Sequence, residues 1–276
     1  KEMNKPKVTI VTATYHRPDL LARCIKSVQS QEMEDYEHII FSDHCPKAAQ
    51  VYDYFKEDKR IRFFENENPH RPNHGAIANN FGIEVANSEF ICYVGDDNIV
   101  LPNHTKVMYE ALTDAVAAGK HVVYTRCHFA MIGRSDGQKR HVGDGRDADN
   151  TTLQLLQRHL EKELYNLDTS ERIFDRWRND PSFPDMARLG HTREIARRVG
   201  GWKTWVEIGR PNEDGYFMGK LEEATDPVYI NDKFTAVYYA RKACMGDDAQ
   251  YLEKLANLKD DEIFVYPEVL RENGVL

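Results

Sequence analysis

The chain has 276 residues, 41% of them apolar, which suits one large domain or two closely packed halves. Its formal net charge of −8 argues against nucleic acid as the main partner, because phosphate binding needs a clustered basic face. Five cysteines without a C-x-x-C pair indicate reduced thiols, and no run of 18 apolar residues occurs. We therefore expect a soluble cytoplasmic protein. Peripheral association with the inner face of the membrane stays open, as does a native chain that extends further.

The first half of the chain alternates segments of strand and helix character. Short apolar runs rich in β-branched residues are separated by stretches whose apolar residues recur at helical spacing. Four strand units with helical crossovers predict a mostly parallel sheet with helices on both faces. The predicted strands are Val8–Ala13, His38–Phe41, Arg60–Glu65 and Phe90–Val94, and the predicted helices follow Pro18 and cover Ala48–Phe55 and Gly75–Val85.

The second half is less regular, and no Pro-rich or Ser-rich linker separates it from the first. We therefore predict a single two-part domain. Its predicted elements are a helix at Leu101–Ala118, a strand at Val122–Cys127, a mobile loop at Gly133–Asn150, helices at Leu153–Leu167, Thr192–Val199 and Asp214–Leu221, and a strand at Phe234–Ala240. Core packing is the favoured role of the amphipathic Leu153–Leu167 helix, and a membrane-surface or partner helix is the alternative.

The strand at Phe90–Val94 ends at two adjacent carboxylates, Asp96 and Asp97. Burying such charges costs several kcal/mol each unless a cation or strong hydrogen bonds compensate. Ligands of parallel α/β sheets bind outside the carboxyl ends of the strands, and Asp43 also follows a predicted strand. These three aspartates are therefore predicted to converge on a site for a hard cation and a diphosphate. A solvated turn before the next helix is the alternative.

Four local patterns, in this order and spacing, resemble the family 2 glycosyltransferases of the GT-A fold, the large group of inverting enzymes. The patterns are Thr12-Ala13-Thr14-Tyr15-His16-Arg17 for the T-Y-N-R turn, Ser42-Asp43-His44-Cys45 for D-D-G-S, Asn73 to Gly82 for N-x-G…A-R-N-x-G, and Gly95-Asp96-Asp97 for D-x-D. The chain departs from the family at His16, at Asn79 in place of Arg, and at Gly95 in place of Asp. The resemblance covers residues 7–110 well and continues weakly through residues 199–202 and 213–214.

The resemblance implies a GT-A fold, a Rossmann-like, mostly parallel α/β sheet flanked by helices in a single two-part domain. Residues 1–127 would form the nucleotide-sugar-binding half and residues 128–276 the acceptor-binding half, with the loop around 133–150 closing over the donor. The implied enzyme is a hexosyltransferase or similar. It would transfer a sugar from a nucleotide diphosphate donor, with a UDP-sugar favoured, and would invert the configuration at the anomeric carbon. The acceptor would be a hydroxyl of a glycan, a lipid-linked molecule or a protein.

The resemblance also assigns roles to single residues. Asp97 would bind Mn²⁺ or Mg²⁺, and Asp96 would ligate the metal through water or contact the ribose or sugar. Asp43 would accept a hydrogen bond from the nucleobase or from a ribose hydroxyl. Asp214 would be the catalytic base, with Glu213 in reserve, although acidic residues also stabilise helix N-termini without any function. The remaining donor-binding positions are Thr12, Tyr15, Arg17, Asn73, Gly75 and Asn79.

Other readings of the chain are weaker. A nucleotidyltransferase or a dinucleotide-dependent dehydrogenase would need a Gly-rich loop directly after the first strand, where this chain has residues 13–17. A catalytically degenerate binding or scaffold protein with the same fold is the main alternative, because of the departures from the family motifs. Trp202 and Trp205 would stack on a sugar or pack in the core, and His191 would be structural or face the site.

Overall fold

A computed structural model describes residues 5–15, 17–43, 45–66, 75–132, 134–135, 139–142, 146–147, 186–209 and 213–241. The strands are β1 (Val8–Thr14), β2 (Tyr36–Asp43), β3 (Ile61–Asn66), β4 (Phe90–Tyr93), β5 (Ile99–Val100), β6 (Val122–Ile132), β7 (Arg134–Ser135), β8 (Lys139–Val142), β9 (Arg146–Asp147), β10 (Leu189–Thr192) and β11 (Val228–Arg241). The helices are α1 (Pro18–Gln29), α2 (Pro46–Asp53), α3 (Ala76–Val85), α4 (His104–Ala117), α5 (Arg193–Arg198), α6 (Trp205–Ile208) and α7 (Glu213–Ala224).

The central sheet has eight strands in the order β3-β2-β1-β4-β10-β6-β11-β5. Strands β3, β2, β1 and β4 are mutually parallel, which confirms the prediction for the first half. Strand β10 lies antiparallel between β4 and β6. Strand β10 was not predicted, because a four-residue segment containing Gly190 and His191 has neither the length nor the apolar pattern of a strand.

The strand register brings two predicted acidic positions to the same edge of the sheet. Thr14, the last residue of β1, pairs with Ser42, so Asp43 lies just beyond the end of β1 on one side. On the other side of β1, Val11 pairs with Tyr93, and β4 leads directly to Asp96. With about 4.8 Å between neighbouring strands, the backbones of the two acidic segments are about 10 Å apart. The carboxyl ends of β2 and β4 therefore flank β1, as predicted.

Helices cover both faces of the sheet. On one face, α1 and α4 pack on a cluster that includes Ile10, Cys92 and Met108. On the other face, α3 and α7 pack on a cluster that includes Val11 and Tyr93. Helix α3 lies very close to β1, since a Cβ on Gly82 would be 2.5 Å from Val11 Cγ1. Glycine at position 82 therefore serves helix packing, as the sequence analysis favoured.

The described part of the second half differs from the predictions in one further respect. The described residues between 134 and 147 form a small antiparallel sheet of β7, β8 and β9, where a loop was predicted. Closure of this segment over a donor stays a prediction. The helix predicted at Leu153–Leu167 and its proposed surface role lie outside the described residues. In the described part of the chain, none of the helices combines the length and apolarity needed to cross a bilayer.

Three histidines are fully buried in the described core: His38 in β2, His104 at the start of α4 and His191 in β10. Burial lowers the pKa of His38 to about 3 and the pKa values of His104 and His191 to about 4. These imidazoles are therefore neutral in the folded protein at pH 5, whereas an unfolded chain would protonate them below about pH 6.5. Protons are thus taken up on unfolding across this window.

We expect stability to fall as the pH is lowered from 7 to 5, because the unfolded state binds more protons there. Each histidine contributes a loss of about 1.4 kcal/mol per pH unit at most. Urea unfolding at pH 8, 7, 6 and 5 measures the slope. The variant His191→Gln should reduce the slope by one proton, with the pH 8 value giving the packing cost of the substitution. A free energy of unfolding that stays constant from pH 7 to 5 would contradict the prediction.

Candidate functional site

The acidic pair lies in a tight turn at the end of β4. The backbone N–H of Asn98 donates to the Gly95 carbonyl, with 2.9 Å between nitrogen and oxygen. Asp96 and Asp97 are therefore the two central residues of the turn. The turn is not the solvated one considered as the alternative, because Asp96 is fully buried and the Asp97 side chain is 16% exposed. A Cβ at Gly95 would lie 2.8 Å from Asp97 Oδ1. Any larger residue at position 95 would therefore crowd the Asp97 carboxylate.

Arg17 binds both carboxylates of this turn. Its Nε donates to Asp96 Oδ2 at 3.1 Å, and its Nη2 forms an ion pair with Asp96 Oδ1 at 2.5 Å, so the guanidinium spans both oxygens of Asp96 as a fork. The remaining nitrogen, Nη1, donates to Asp97 Oδ2 at 2.7 Å. Thr14 Oγ1 also donates to Asp96 Oδ2, at 2.7 Å. The arginine predicted to bind the donor is thus held at the acidic turn.

The electrostatics of Asp96 explain why it needs these partners. Burial raises the pKa of its carboxyl above the ordinary value, and the nearby Asp97 charge acts in the same direction. Arg17 and Thr14 oppose this shift by attracting and hydrogen-bonding the ionised form. Asp96 is therefore an internal anchor for Arg17, with both of its oxygens engaged by protein groups.

Arg23 is a site residue that the sequence analysis missed. It lies on α1, is fully buried, and donates from Nη2 to the backbone carbonyl of Asp97. Its helical position was informative, because Leu20, Arg23 and Ser27 share the inward face of α1. A cation on an apolar stripe requires an anionic or carbonyl partner in the core. Thr14 was missed as well, although it ends the strand that the site flanks.

One of the predicted donor-binding residues, Thr12, occupies different surroundings from those expected. Thr12 lies within β1 and not in the loop, because the strand continues to Thr14; its buried hydroxyl is 2.8 Å from His38 Nε2. The prediction that Thr12 lies in the loop after β1 is therefore wrong, and its side chain is buried against β2. Asp43, at the carboxyl end of β2, is half-buried and accepts a hydrogen bond from Asn66 Nδ2 at 2.9 Å. Tyr15 follows β1 and is half-buried.

The start of α3 faces the same edge of the sheet. Gly75 caps the helix with a φ of 92°, a left-handed conformation that favours glycine, and its Cβ position is 3.4 Å from Ala13 Cβ. One turn later, Asn79 is 1% exposed, and its carboxamide has no hydrogen-bond partner in the part of the chain that the structure describes. A buried amide of this kind needs a hydrogen-bond partner. Asn73 lies outside the described residues.

The predicted base and its reserve begin α7. Glu213 is buried and Asp214 is half-buried. One turn further on, the Phe217 ring stacks on Trp202 with 4.4 Å between centroids. Trp202 Nε1 in turn donates to Tyr93 Oη at 3.0 Å, which ties the acidic end of α7 to the strand that carries the aspartate turn.

His191 belongs to the same aromatic cluster and has a structural role. Its Nε2 is 2.8 Å from Tyr93 Oη, and both residues are fully buried. Trp202 is 1% exposed, so its indole packs in the core. Of the two alternatives weighed for each of these residues, the structural one is confirmed.

The family model described as "Glycosyl transferase family 2" matches residues 9–154, which include β1, β2, β4 and the aspartate turn. The protein belongs to glycosyl transferase family 2. The GT-A fold implied by the motifs is thereby confirmed, together with the mixed α/β architecture. The chain therefore belongs to the family although it departs from the usual motifs at Asn79 and Gly95.

A curated relative agrees with the family assignment, and solved structures share the fold. A Campylobacter jejuni protein named GalNAc(5)-diNAcBac-PP-undecaprenol beta-1,3-glucosyltransferase is 23% identical over 186 residues, 67% of this chain and 58% of that protein. The chain thus spans less than two thirds of that relative. Staphylococcus aureus TarS 1–349 in complex with UDP-GlcNAc shares the fold, with a TM-score of 0.59 and 13% identity over 87% of this chain and 60% of that chain. A Pyrobaculum calidifontis mannosyltransferase in complex with GDP-Man and Mn²⁺ also shares the fold, with a TM-score of 0.56 and 13% identity over 98% of this chain and 68% of that chain.

The chemistry of the turn fits a divalent cation at one carboxylate. Asp97 offers a hard oxygen ligand with partial exposure, as Mg²⁺ and Mn²⁺ prefer. Asp96 does not fit as a direct ligand, because Arg17 and Thr14 engage its oxygens in the buried turn. Among the described residues, His, Cys, Asp and Glu side chains form no group of three that could hold a metal. A cation here would therefore need phosphate oxygens and water to complete its coordination.

Proposed function

We propose that the protein is a metal-dependent, inverting glycosyltransferase of glycan biosynthesis that takes its sugar from a nucleotide diphosphate donor, with UDP-sugar as the leading choice. The observation that carries this proposal is the turn at the end of β4, where Asp97 meets Arg17 beside the carboxyl end of β1. A cation ligand and a fixed guanidinium at this edge of a parallel sheet suit a diphosphate.

The donor would lie across the carboxyl ends of β2, β1 and β4. Asp43 would accept a hydrogen bond from the nucleobase or ribose, and Tyr15 would line the loop between it and the aspartate turn. The start of α3 at Gly75 offers close backbone approach, and Asn79 offers an amide whose hydrogen-bonding capacity is unused in the described structure. Asn73 keeps its proposed donor-binding role.

Bound Mn²⁺ or Mg²⁺ at Asp97 would neutralise negative charge that develops on the departing diphosphate. In the transfer itself, the acceptor oxygen forms a bond to the anomeric carbon as the bond from that carbon to the phosphate oxygen breaks. The nucleoside diphosphate leaves with the electron pair. Asp214 takes the hydroxyl proton, with Glu213 as the reserve base. Inversion follows because the acceptor attacks opposite the leaving group.

The acceptor is proposed to be a hydroxyl of a lipid-linked glycan. The name of the Campylobacter relative supports this class, since that protein is described as acting on an undecaprenol-linked saccharide. Such an acceptor would place the protein at the inner face of the membrane as a peripheral enzyme. A soluble glycan or a protein acceptor would instead leave it in the cytoplasm without membrane contact.

A catalytically degenerate binding protein is the second candidate. Two observations favour it: Arg17 already binds both carboxylates of the aspartate turn, and the described residues hold no three-ligand metal group. Such a protein would still present the sheet edge to other molecules but would have lost the use of a metal-bound donor.

Calorimetric titration with UDP, with and without Mn²⁺, separates the two candidates. An enzyme should bind UDP at least about tenfold more tightly with Mn²⁺, a coupling of ordinary size for two ligands of one site. The variant Asp97→Ala should abolish that dependence, because it removes the proposed ligand. The matched control is Asp114→Ala, which removes an exposed carboxylate from α4.

Absence of UDP and GDP binding under all conditions would favour the binding protein. Including GDP tests the choice of nucleotide, since a carboxylate at position 43 can also accept hydrogen bonds from guanine. A screen of nucleotide-sugars for slow, Mn²⁺-dependent hydrolysis would then name the sugar without requiring the acceptor.

A further inference from the structure

We propose that Arg17 is an electrostatic latch on the aspartate turn, which makes the divalent cation and the diphosphate bind together and disfavours the cation alone. This inference rests on the proposed function and concerns the same site. Its basis is that the guanidinium contacts two carboxylates in different ways, with a fork on buried Asp96 and a single hydrogen bond to the more exposed Asp97.

The geometry allows the latch to open with little movement. The fork fixes the plane of the guanidinium through Nε and Nη2, while only Nη1 is engaged with Asp97. Exchanging that one hydrogen bond would release Asp97 Oδ2 from Arg17, so that this oxygen could turn to the cation. Nη1 could then donate to a diphosphate oxygen without disturbing the contact to Asp96, since phosphate oxygens accept from the same donors as carboxylates.

The formal charges of the turn explain the coupling. Among the described residues, the charges of the two aspartates and of the two arginines that contact the turn sum to zero; these residues are Asp96, Asp97, Arg17 and buried Arg23. A divalent cation alone would leave an excess of two positive charges in a largely buried place, where charges are poorly screened. A cation that arrives with the two negative charges of the diphosphate bridge leaves the sum unchanged. Because of Arg17, the site therefore binds the cation together with the diphosphate more favourably than the cation alone.

The test measures Mn²⁺ binding by the loss of the free-ion electron paramagnetic resonance signal, first without nucleotide and then with saturating UDP. In the unchanged protein, UDP should tighten Mn²⁺ binding about tenfold or more. In Arg17→Gln, Mn²⁺ alone should bind about tenfold more tightly than in the unchanged protein, because the competing cation is gone. The tightening by UDP should shrink accordingly, and by linkage so should the tightening of UDP binding by Mn²⁺.

The chain offers a closely matched control. Arg60 forms a fork on Asp58 through Nε and Nη2, and its side chain is 27% exposed, compared with 23% for Arg17. It lies near Tyr36, at the amino ends of the strands and so at the opposite edge of the sheet. Arg60→Gln should leave Mn²⁺ binding unchanged both with and without UDP.

If Arg17→Gln folds only when Mn²⁺ is added, as followed by circular dichroism, the ion has replaced the guanidinium and the latch is supported. Arg17→Lys is the second variant, and it should bind Mn²⁺ alone with intermediate affinity, because an ammonium cannot form the fork and reach Asp97 at once. Equal Mn²⁺ affinity in the unchanged protein and both variants would overturn the latch.

The latch and the proposed function fail in different ways. If UDP and Mn²⁺ bind the unchanged protein cooperatively and the cooperativity is the same in Arg17→Gln, the latch is wrong and the transferase proposal stands. If UDP never binds but inorganic diphosphate tightens Mn²⁺ binding to the unchanged protein and this tightening is lost in Arg17→Gln, the latch is right and the transferase proposal fails.

Discussion

Replacing Asp214 by Asn is expected to lower kcat for sugar transfer by about 10²–10⁴-fold, the usual contribution of a positioned general base. The substitution keeps the size and shape of the side chain but removes its ability to accept the hydroxyl proton. Donor affinity should stay unchanged, because the proposed partner of Asp214, at the start of α7, is the acceptor hydroxyl and not the donor. Measurements of turnover and of UDP binding on the same preparation separate the two effects.

Glu213→Gln is the matched control, since Glu213 precedes Asp214 at the same helix end. If Glu213 is the base, the large loss of turnover will appear in this variant and not in Asp214→Asn. A role limited to helix stabilisation would give a different result. Both variants would then lose about 0.3–1 kcal/mol of stability each and would turn over normally.

Trp202→Ala is expected to lower the free energy of unfolding by about 3–5 kcal/mol, as for other buried tryptophans. The indole is 1% exposed, stacks on Phe217, and donates to Tyr93 Oη. Its loss leaves a large cavity between α7 and β4. Because α7 carries the proposed base and β4 leads to the aspartate turn, turnover should fall as well. Urea unfolding gives the free energy directly.

Trp202→Phe distinguishes packing from a role in sugar binding. Phenylalanine keeps a ring against Phe217 but loses the hydrogen bond to Tyr93, so the expected cost is about 1–2 kcal/mol. Donor affinity should be the same as in the unchanged protein. A marked loss of donor affinity in a normally folded Trp202→Phe protein would mean that the indole contacts the sugar, contrary to its position in the core.

The parallel part of the sheet was predictable because its strands and helices are each specified by residues that are close together in the chain. The strand β1 and helix α1 differ in the spacing of their apolar residues, and the same contrast recurs through β4. The rule that parallel strands end at one edge then places Asp43 and the aspartate turn on either side of β1. The antiparallel strand β10 was not predictable in this way, since its pairing with β4 and β6 joins segments distant in the chain.

The acidic residues of the site were found for the same reason, but their partners were not. Arg17 lies 79 residues from Asp96 in the chain, and Arg23 lies 74 residues from Asp97. Nothing in the local pattern says which carboxylate a buried arginine meets. The prediction that Asp96 shares the metal took no account of Arg17, whose fork only the folded chain reveals.

By itself, the sequence determined the alternation of strands and helices, the acidic strand ends and the resemblance to family 2, because each depends on residues close together in the chain. The tertiary structure alone decided that Asp96 is fully buried, that Thr12 faces His38, and that one guanidinium holds both carboxylates. These facts depend on strand register and on burial. Burial then sets the strength of the charge interactions, which no local pattern encodes.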